Sequence, residues 1–306
     1  MAIVKPGSLF SLEGDYPFQM KKLPNYRWWK PLCAGLLGAV LFVVLQTIVY
    51  FAILYLSGSN IETLRANKAA SSSYIVGDPS SPATLLMAFI PVACAIPSFA
   101  IAMRVFGLGN LGTLSSVEGK LRWKHIWSYA PLALAAGVVF YLIMFAINTI
   151  QGGSYGDITL VPVTLLIIIV LCPLQCAAEE YVCRGFVFQA FASWIPVVAI
   201  PLIIQTVIFV VLHGYNIVGL IGVGFVGLIA GWLTVKTGGL EAAITLHSVN
   251  NILSFMQSAL FVSQATQSDI TIIGLLGGAI LSLILAAVIY QIAKRKGYIQ
   301  PQPAEA

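Results

Sequence analysis

The second half of the chain carries acidic, basic, imidazole and amide side chains inside otherwise apolar stretches. In three short motifs these side chains recur at a spacing of four residues, which places two of them on one face of a helix. The motifs are Glu179-Glu180 with Arg184, Phe209 with His213, and His247 with Asn251. Carboxylates and imidazoles can take a proton from water, and imidazoles and amides can donate hydrogen bonds to an oxyanion. Hydrolysis is therefore one chemistry that such a set could perform.

The acidic motif predicts different roles for its two carboxylates. No helix breaker separates Glu179 from the apolar run before it, so the helix is predicted to continue through the motif. Glu180 and Arg184 then share a face and can pair, whereas Glu179 is turned about 100° away. One carboxylate would be held by the arginine, and the other would be free to move a proton. The alternative is an interfacial ion pair that ends a membrane span.

The two imidazole motifs each have a structural alternative. His213 ends an apolar stretch, where a histidine by itself is typical of a membrane interface. His247 lies about eight residues inside another apolar stretch, and Asn250 and Asn251 follow it by three and four residues. A hydrogen bond between helices would also account for His247. The spacing leaves open which of the two asparagines faces His247.

The composition identifies the environment of these motifs. Of the 306 residues, 59% are hydrophobic and 9% are charged, and the mean hydropathy is +0.92. Ordinary soluble domains carry about 25% charged residues. Disorder is excluded too, because it requires low hydrophobicity. The sequence therefore predicts an all-α, polytopic membrane helix bundle. The net charge of +5 does not indicate nucleic acid as a partner, because the basic residues flank apolar stretches and face lipid head groups.

Apolar stretches long enough to cross a bilayer predict about eight transmembrane helices. The predicted spans are residues 32–56, 84–105, 128–150, 160–178, 197–212, 217–235, 240–262 and 270–293. The bundle would thus occupy 32–293, between a cytoplasmic head at 1–31 and a cytoplasmic tail at 294–306. With both termini cytoplasmic, 14 of the 16 Lys and Arg residues lie on the inner side, as the positive-inside rule requires.

The depth of His213 is difficult to reconcile with eight full crossings. If the fifth span crossed completely, His213 would end on the side of the membrane opposite to the other motifs. We therefore expect the segment at 193–212 to dip into the membrane instead of crossing it squarely. Pro196 and Pro201 favour such an irregular entry.

Taken together and in this order, the three motifs resemble the CPBP family. This family comprises intramembrane proteases of the CAAX-processing type (type II CAAX prenyl endopeptidase, or Rce1-like) and bacteriocin-processing and immunity proteins. The resemblance covers residues 160–262, and the first 150 residues carry no matching motif. It implies an eight-helix bundle with a cavity open to the cytosol, in which a water molecule hydrolyses a peptide bond.

The resemblance also implies a role for each motif residue. Glu179 and His213 would hold and deprotonate the water, while His247 and Asn251 would donate hydrogen bonds to the oxyanion. Glu180 and Arg184 would position Glu179, and Phe209 would be a further supporting residue. The family is often described as metalloproteases, and catalytic zinc commonly has three His or Glu ligands. Zinc or another divalent metal, held by Glu179, His213 and His247, is thus allowed but not required.

The expected function is an intramembrane endopeptidase of a prokaryotic cell membrane, reached from the cytoplasmic side. Its partners would be membrane lipid and a lipidated or membrane-associated protein or peptide. Two alternatives stay open at this point. One is a non-hydrolytic immunity or scaffold protein of the same fold. The other is a proton-coupled transporter, although a transporter would be expected to carry polar groups in both halves of the chain.

Overall fold

The described part of the protein is built from helices packed around a central pair. The computed structural model describes residues 12, 14–58, 80–152, 158, 160–261 and 270–300. Within these ranges the regular secondary structure is entirely helical, which confirms the all-α class. The predicted head and tail lie partly outside the described residues, as does residue 262 at the end of the seventh predicted span. The two basic residues that the prediction places on the outer side, Arg65 and Lys68, also lie outside them.

Eleven α-helices and one π-helix make up most of the described chain. They are α1 (Lys30–Leu56), α2 (Pro82–Ala93), α3 (Ala95–Val105), α4 (Leu111–Ser115), α5 (Trp123–Ile150), α6 (Pro162–Glu180), the π-helix (Tyr181–Val187), α7 (Phe188–Trp194), α8 (Ala199–Val211), α9 (Ile217–Thr237), α10 (Glu241–Leu260) and α11 (Ile272–Arg295). Two short 3₁₀ turns, Tyr16–Phe18 and Met20–Lys22, precede α1.

Six helical segments among the described residues are long and apolar enough to cross a membrane. They are Lys30–Leu56, Pro82–Val105, Trp123–Ile150, Pro162–Trp194, Ile217–Thr237 and Ile272–Arg295. Their outer faces carry exposed aliphatic and aromatic side chains, as expected where lipid and not water covers the surface. The number of eight crossings and the orientation of the termini stay predictions.

The helix that carries Phe209 is too short to cross a bilayer. Helix α8 has 13 residues, or about 20 Å at 1.5 Å per residue, against about 30 Å of hydrocarbon. A non-helical turn between Trp194 and Ala199 separates it from α7. This length agrees with the prediction that the segment enters the membrane region without crossing it squarely.

Helices α6 and α10 form the centre of the packing. Helix α6 packs against α2 and α10, while α10 also packs against α5 and α9. Helix α8 lies against α7, the π-helix and α9. The three motif-bearing elements therefore converge on one region. Gly227 of α9 permits the close approach of α8, because a Cβ atom there would lie 3.1 Å from Thr206 Cγ2 and 3.3 Å from Arg184 Nη2.

An ion pair joins the start of α5 to the start of α10. Arg122 donates from its backbone nitrogen and Nε to Glu241 Oε1 at 2.8 and 3.0 Å, and from Nη2 to Glu241 Oε2 at 2.6 Å. Burial disfavours the charge on Arg122, but the hydrogen bonds and charge of Glu241 outweigh it and hold the pKa of Arg122 above its usual value. Glu241 also begins α10, where an acidic side chain interacts favourably with the helix dipole, so it has two roles.

We expect Glu241→Gln to lower the free energy of unfolding by about 3 kcal/mol, because it removes the buried, hydrogen-bonded counter-charge of Arg122 and leaves only the half-exposed Glu118 nearby. Unfolding in mixed micelles with increasing sodium dodecyl sulfate measures this change. Glu118→Gln is the matched control. Its carboxylate also lies near Arg122, at 3.7 Å, but is 49% exposed, so a loss below about 1 kcal/mol is expected. Equal losses of stability in the two variants would contradict the view that Glu241 is the main counter-charge of Arg122.

Candidate active site

One continuous helical rod positions the acidic motif. Helix α6 runs into the π-helix and then into α7, so the rod extends over Pro162–Trp194 without a break. The predicted continuation of the helix through the motif is confirmed. The π-helix begins directly after Glu180, and its wider turn changes the direction of the side chains that follow. Single π turns inside α-helices frequently occur at functional sites.

Glu180 is the buried anchor of the site. Arg184 Nη1 donates to Glu180 Oε1 at 3.0 Å, and both side chains are fully buried. His247 Nδ1 lies 2.8 Å from the same oxygen and donates to it from α10. The predicted pairing of Glu180 with Arg184 is therefore present in the structure. The link to His247, 67 residues away, could not be read from the spacing.

Glu179 points into a different environment from Glu180. Its side chain is 22% exposed, and its Oε1 accepts a hydrogen bond from Gln175 Nε2 at 2.6 Å. Its Oε2 faces His247 Nε2 at 3.5 Å and accepts no hydrogen bond from the described residues. The imidazole of His247 thus lies between the two carboxylates. The arginine holds Glu180, and one oxygen of Glu179 is left available.

Phe209 packs at the meeting point of the other side chains. Its ring lies 4.0 Å from the guanidinium carbon of Arg184, in a cation–π contact. The ring centroids of His247 and His213 lie 5.9 and 4.6 Å from that of Phe209. Phe209 is 3% exposed. It therefore fixes the lateral positions of the arginine and both imidazoles without taking part in proton transfer.

His213 is oriented by the last turn of α8. Its Nδ1 lies 2.7 Å from the carbonyl oxygen of Phe209. In this geometry Nδ1 carries the proton and donates, which leaves Nε2 as the basic nitrogen. The ring also stacks on Tyr215 and lies within electrostatic range of Glu179 and His247. His213 thus reaches the same region as the other two motifs.

Asn251 follows His247 by one turn of α10, and the two asparagines are linked. Asn250 Nδ2 donates to Asn251 Oδ1 at 3.1 Å, and both side chains are half-buried. This contact engages the oxygen of Asn251, so its amide nitrogen is the group that can donate to another acceptor. Asn250 therefore orients Asn251.

The residues expected to hold a divalent metal do not form a ligand set in this arrangement. Among the described residues, no group of three or more His, Cys, Asp or Glu side chains is placed to hold a metal ion. His247 Nδ1 donates to Glu180 and His213 Nδ1 to a carbonyl oxygen, so on each ring Nε2 is the nitrogen that could bind a metal. Because fewer than three such ligands are brought together among the described residues, the side chains as placed do not complete a metal centre. No step below depends on a metal.

Two contacts of the site were not predicted from the sequence. Gln175 is one turn before Glu179, so the same four-residue spacing could have identified it. Tyr16 has no such signal, because its partners are distant in sequence. Its hydroxyl lies 2.5 Å from the carbonyl oxygen of Leu114 and 3.3 Å from that of Arg184, which are 98 and 168 residues away. Burial raises the pKa of Tyr16, so the hydroxyl stays a hydrogen-bond donor.

A comparison with protein families matches the part of the chain that carries this site. Residues 161–253 match the family model described as type II CAAX prenyl endopeptidase Rce1-like. All seven motif residues lie inside the matched stretch. The match supports a CPBP/Rce1-like family assignment. Together with the six apolar helices, it indicates an integral membrane protein related to a family of proteases.

The chain also resembles a protein of Bacillus subtilis (strain 168), which bears the name uncharacterized protein YyaK. The two are 26% identical over 256 residues, which cover 76% of this chain and 78% of YyaK. The similarity thus extends well beyond the matched family region. No solved structure matches this chain.

We expect Arg184→Met to lower the free energy of unfolding by about 3–5 kcal/mol, because the carboxylate of Glu180 would stay buried without its guanidinium. The double variant Arg184→Met with Glu180→Gln should recover part of this loss, because it removes the charge as well. Unfolding in mixed micelles measures both. The exposed Arg104→Met is the control, with an expected change within about 0.5 kcal/mol. A double variant less stable than Arg184→Met alone would contradict the charge argument.

Proposed function

We propose that this protein is an intramembrane endopeptidase that hydrolyses a peptide bond with a water molecule activated by Glu179 and His213. The observation that carries the proposal is the available oxygen of Glu179. Its Oε2 faces an imidazole at 3.5 Å, while the neighbouring Glu180 is neutralised by Arg184. The family match over residues 161–253 supports the same reaction class.

In the proposed reaction, Glu179 is the general base. Water lies between Glu179 Oε2 and His213 Nε2, and Glu179 takes a proton from it as its oxygen attacks the scissile carbonyl carbon. A carbon–oxygen bond forms and the carbonyl oxygen becomes an oxyanion. The contact of His213 with the carbonyl of Phe209 presents Nε2, and not Nδ1, to the water.

In this scheme Asn251 donates to the oxyanion from its amide nitrogen and His247 donates from Nε2. His247 then carries a proton on both ring nitrogens, because Nδ1 already donates to Glu180. His247 keeps its orientation through Glu180, and Asn251 keeps its amide nitrogen available through Asn250. One such donor contributes about 2.7–4 kcal/mol to transition-state stabilisation in a hydrolase. When the carbon–nitrogen bond breaks, the proton held by Glu179 passes to the leaving amine. The products are a carboxylic acid and an amine, which ionise to a carboxylate and an ammonium group, and Glu179 is again free to accept a proton.

The proposed substrate is a CAAX-type or related lipidated or membrane-associated protein or peptide. The outer faces of the helices around the site are apolar, which supports a substrate that is itself held in the bilayer. The proposal includes eight membrane segments with both termini cytoplasmic, in which α8 enters the membrane from the cytoplasmic side and α9 returns to that side. The site is then reached from the cytoplasmic side of a prokaryotic cell membrane. Fourteen of the 16 basic residues would then lie on that side.

Glu179→Gln should lower the cleavage rate by at least about 100-fold, because an amide cannot accept the proton of the attacking water. The assay uses purified protein in lipid nanodiscs and a quenched fluorogenic peptide with a farnesylated Cys-aliphatic-aliphatic-X end. The same peptide without the farnesyl group shows whether a lipid is needed.

The control for this experiment is Glu118→Gln, which removes a half-exposed carboxylate outside the site and should cleave at the wild-type rate. Cleavage by Glu179→Gln at the wild-type rate would overturn the proposed role of Glu179. A wild-type protein that cleaves neither peptide would favour the non-hydrolytic alternative.

We expect cleavage by the wild-type protein to survive dialysis against a metal chelator, because the described side chains do not form a three-ligand metal site. The rates before and after dialysis, with the metal content of both samples measured by mass spectrometry, test this. Loss of activity that zinc restores would contradict the expectation. The catalytic set would then have to rearrange around the ion.

A further inference from the structure

We infer that Gln175 is a positioning residue that holds Glu179 in its catalytic orientation, an inference that rests on the proposed function. Gln175 is 8% exposed and lies on α6, one turn before Glu179. Its Nε2 donates to Glu179 Oε1 at 2.6 Å. Among the described residues, this is the hydrogen bond that the Glu179 carboxylate accepts.

The orientation of the Gln175 amide is determined by a second contact. The thiol of Cys176 lies 3.4 Å from Gln175 Oε1 and donates to it. A rotated amide would place its oxygen 2.6 Å from the carboxylate oxygen, where two acceptors repel each other. The amide nitrogen is therefore directed at Glu179, and the oxygen is directed at the thiol.

The hydrogen bond from Gln175 matters because the site holds two adjacent carboxylates and Arg184 pairs with one of them. Glu179 and Glu180 are adjacent, and two neighbouring carboxylates disfavour each other's ionised form. The guanidinium of Arg184 pairs with Glu180 and also lies over the ring of Phe209. The charge that Arg184 compensates is therefore that of Glu180. Gln175 supplies Glu179 with a donor, which favours the carboxylate that a general base requires.

The same contact selects which oxygen of Glu179 reacts. Because Oε1 is engaged by Gln175, Oε2 is the oxygen that faces His247 and the proposed water. Without Gln175, the carboxylate could rotate and present either oxygen, or turn away from the water. Gln175 therefore acts through Glu179 and does not itself touch the substrate.

The test is Gln175→Met, which keeps the length and the approximate volume of the side chain but removes the donor. We expect kcat to fall about 10-fold or more with KM unchanged. The acidic limb of the kcat/KM profile should move by about one to two pH units toward higher pH, as expected for the loss of one hydrogen bond to a charged group. The assay is the nanodisc assay with the fluorogenic farnesylated peptide.

Gln189→Met is the matched control, because Gln189 is also buried on the same helical rod and donates one hydrogen bond, to the carbonyl of Thr113 at 3.1 Å. Its variant should keep the wild-type pH profile. If Gln175→Met fails to fold, Gln175→Glu is measured instead, and the same upward shift is expected from the added negative charge beside Glu179.

The outcomes separate this inference from the proposed function. If the wild-type protein cleaves the peptide and Glu179→Gln does not, the proposed function stands. An unchanged pH profile in the Gln175 variants would then overturn the positioning role alone. If the wild-type protein fails to cleave, the proposed function fails first and the inference fails with it.

Discussion

The site depends on how the charge of Glu180 is compensated inside the bundle. A buried carboxylate is costly unless it is paired and hydrogen-bonded. Here one oxygen of Glu180 accepts hydrogen bonds from Arg184 on its own rod and from His247 on α10. This interaction links two helices and directs the imidazole toward Glu179. Without it, the two carboxylates would be adjacent, uncompensated charges, and His247 would have no fixed orientation.

Departures from regular helix geometry surround this interaction. The π-helix starts directly after Glu180, and α8 is too short to span a bilayer. These irregular elements carry Arg184 and Phe209, and the two side chains are in contact. Gly227 contributes in the same way, because the absence of a side chain there lets α8 and its Phe209 approach Arg184. The site thus arises from local irregularities within an otherwise regular bundle.

Most of the helices and part of the site could be predicted from the sequence. Apolar stretches predicted the membrane segments, because crossing lipid requires long runs of apolar residues. The helix through the acidic motif and the Glu180–Arg184 pair followed from a four-residue spacing on one helix. The link from Glu180 to His247 and the ion pair of Arg122 with Glu241 could not be predicted in this way, because their partners lie 67 and 119 residues apart.

The sequence by itself determined the helical membrane class, the approximate spans and the residue types available for chemistry. These properties depend on composition and on contacts within a single helix, which follow from periodicity. The tertiary structure decided which carboxylate is paired with the arginine and which nitrogen of each histidine is hydrogen-bonded. It also decided which groups Tyr16 and Gln175 bind. Contacts between helices depend on how whole elements rotate and pack against one another, and no local pattern encodes that rotation. The family resemblance joined the three motifs into one site, and the fold supplied the contacts that connect them.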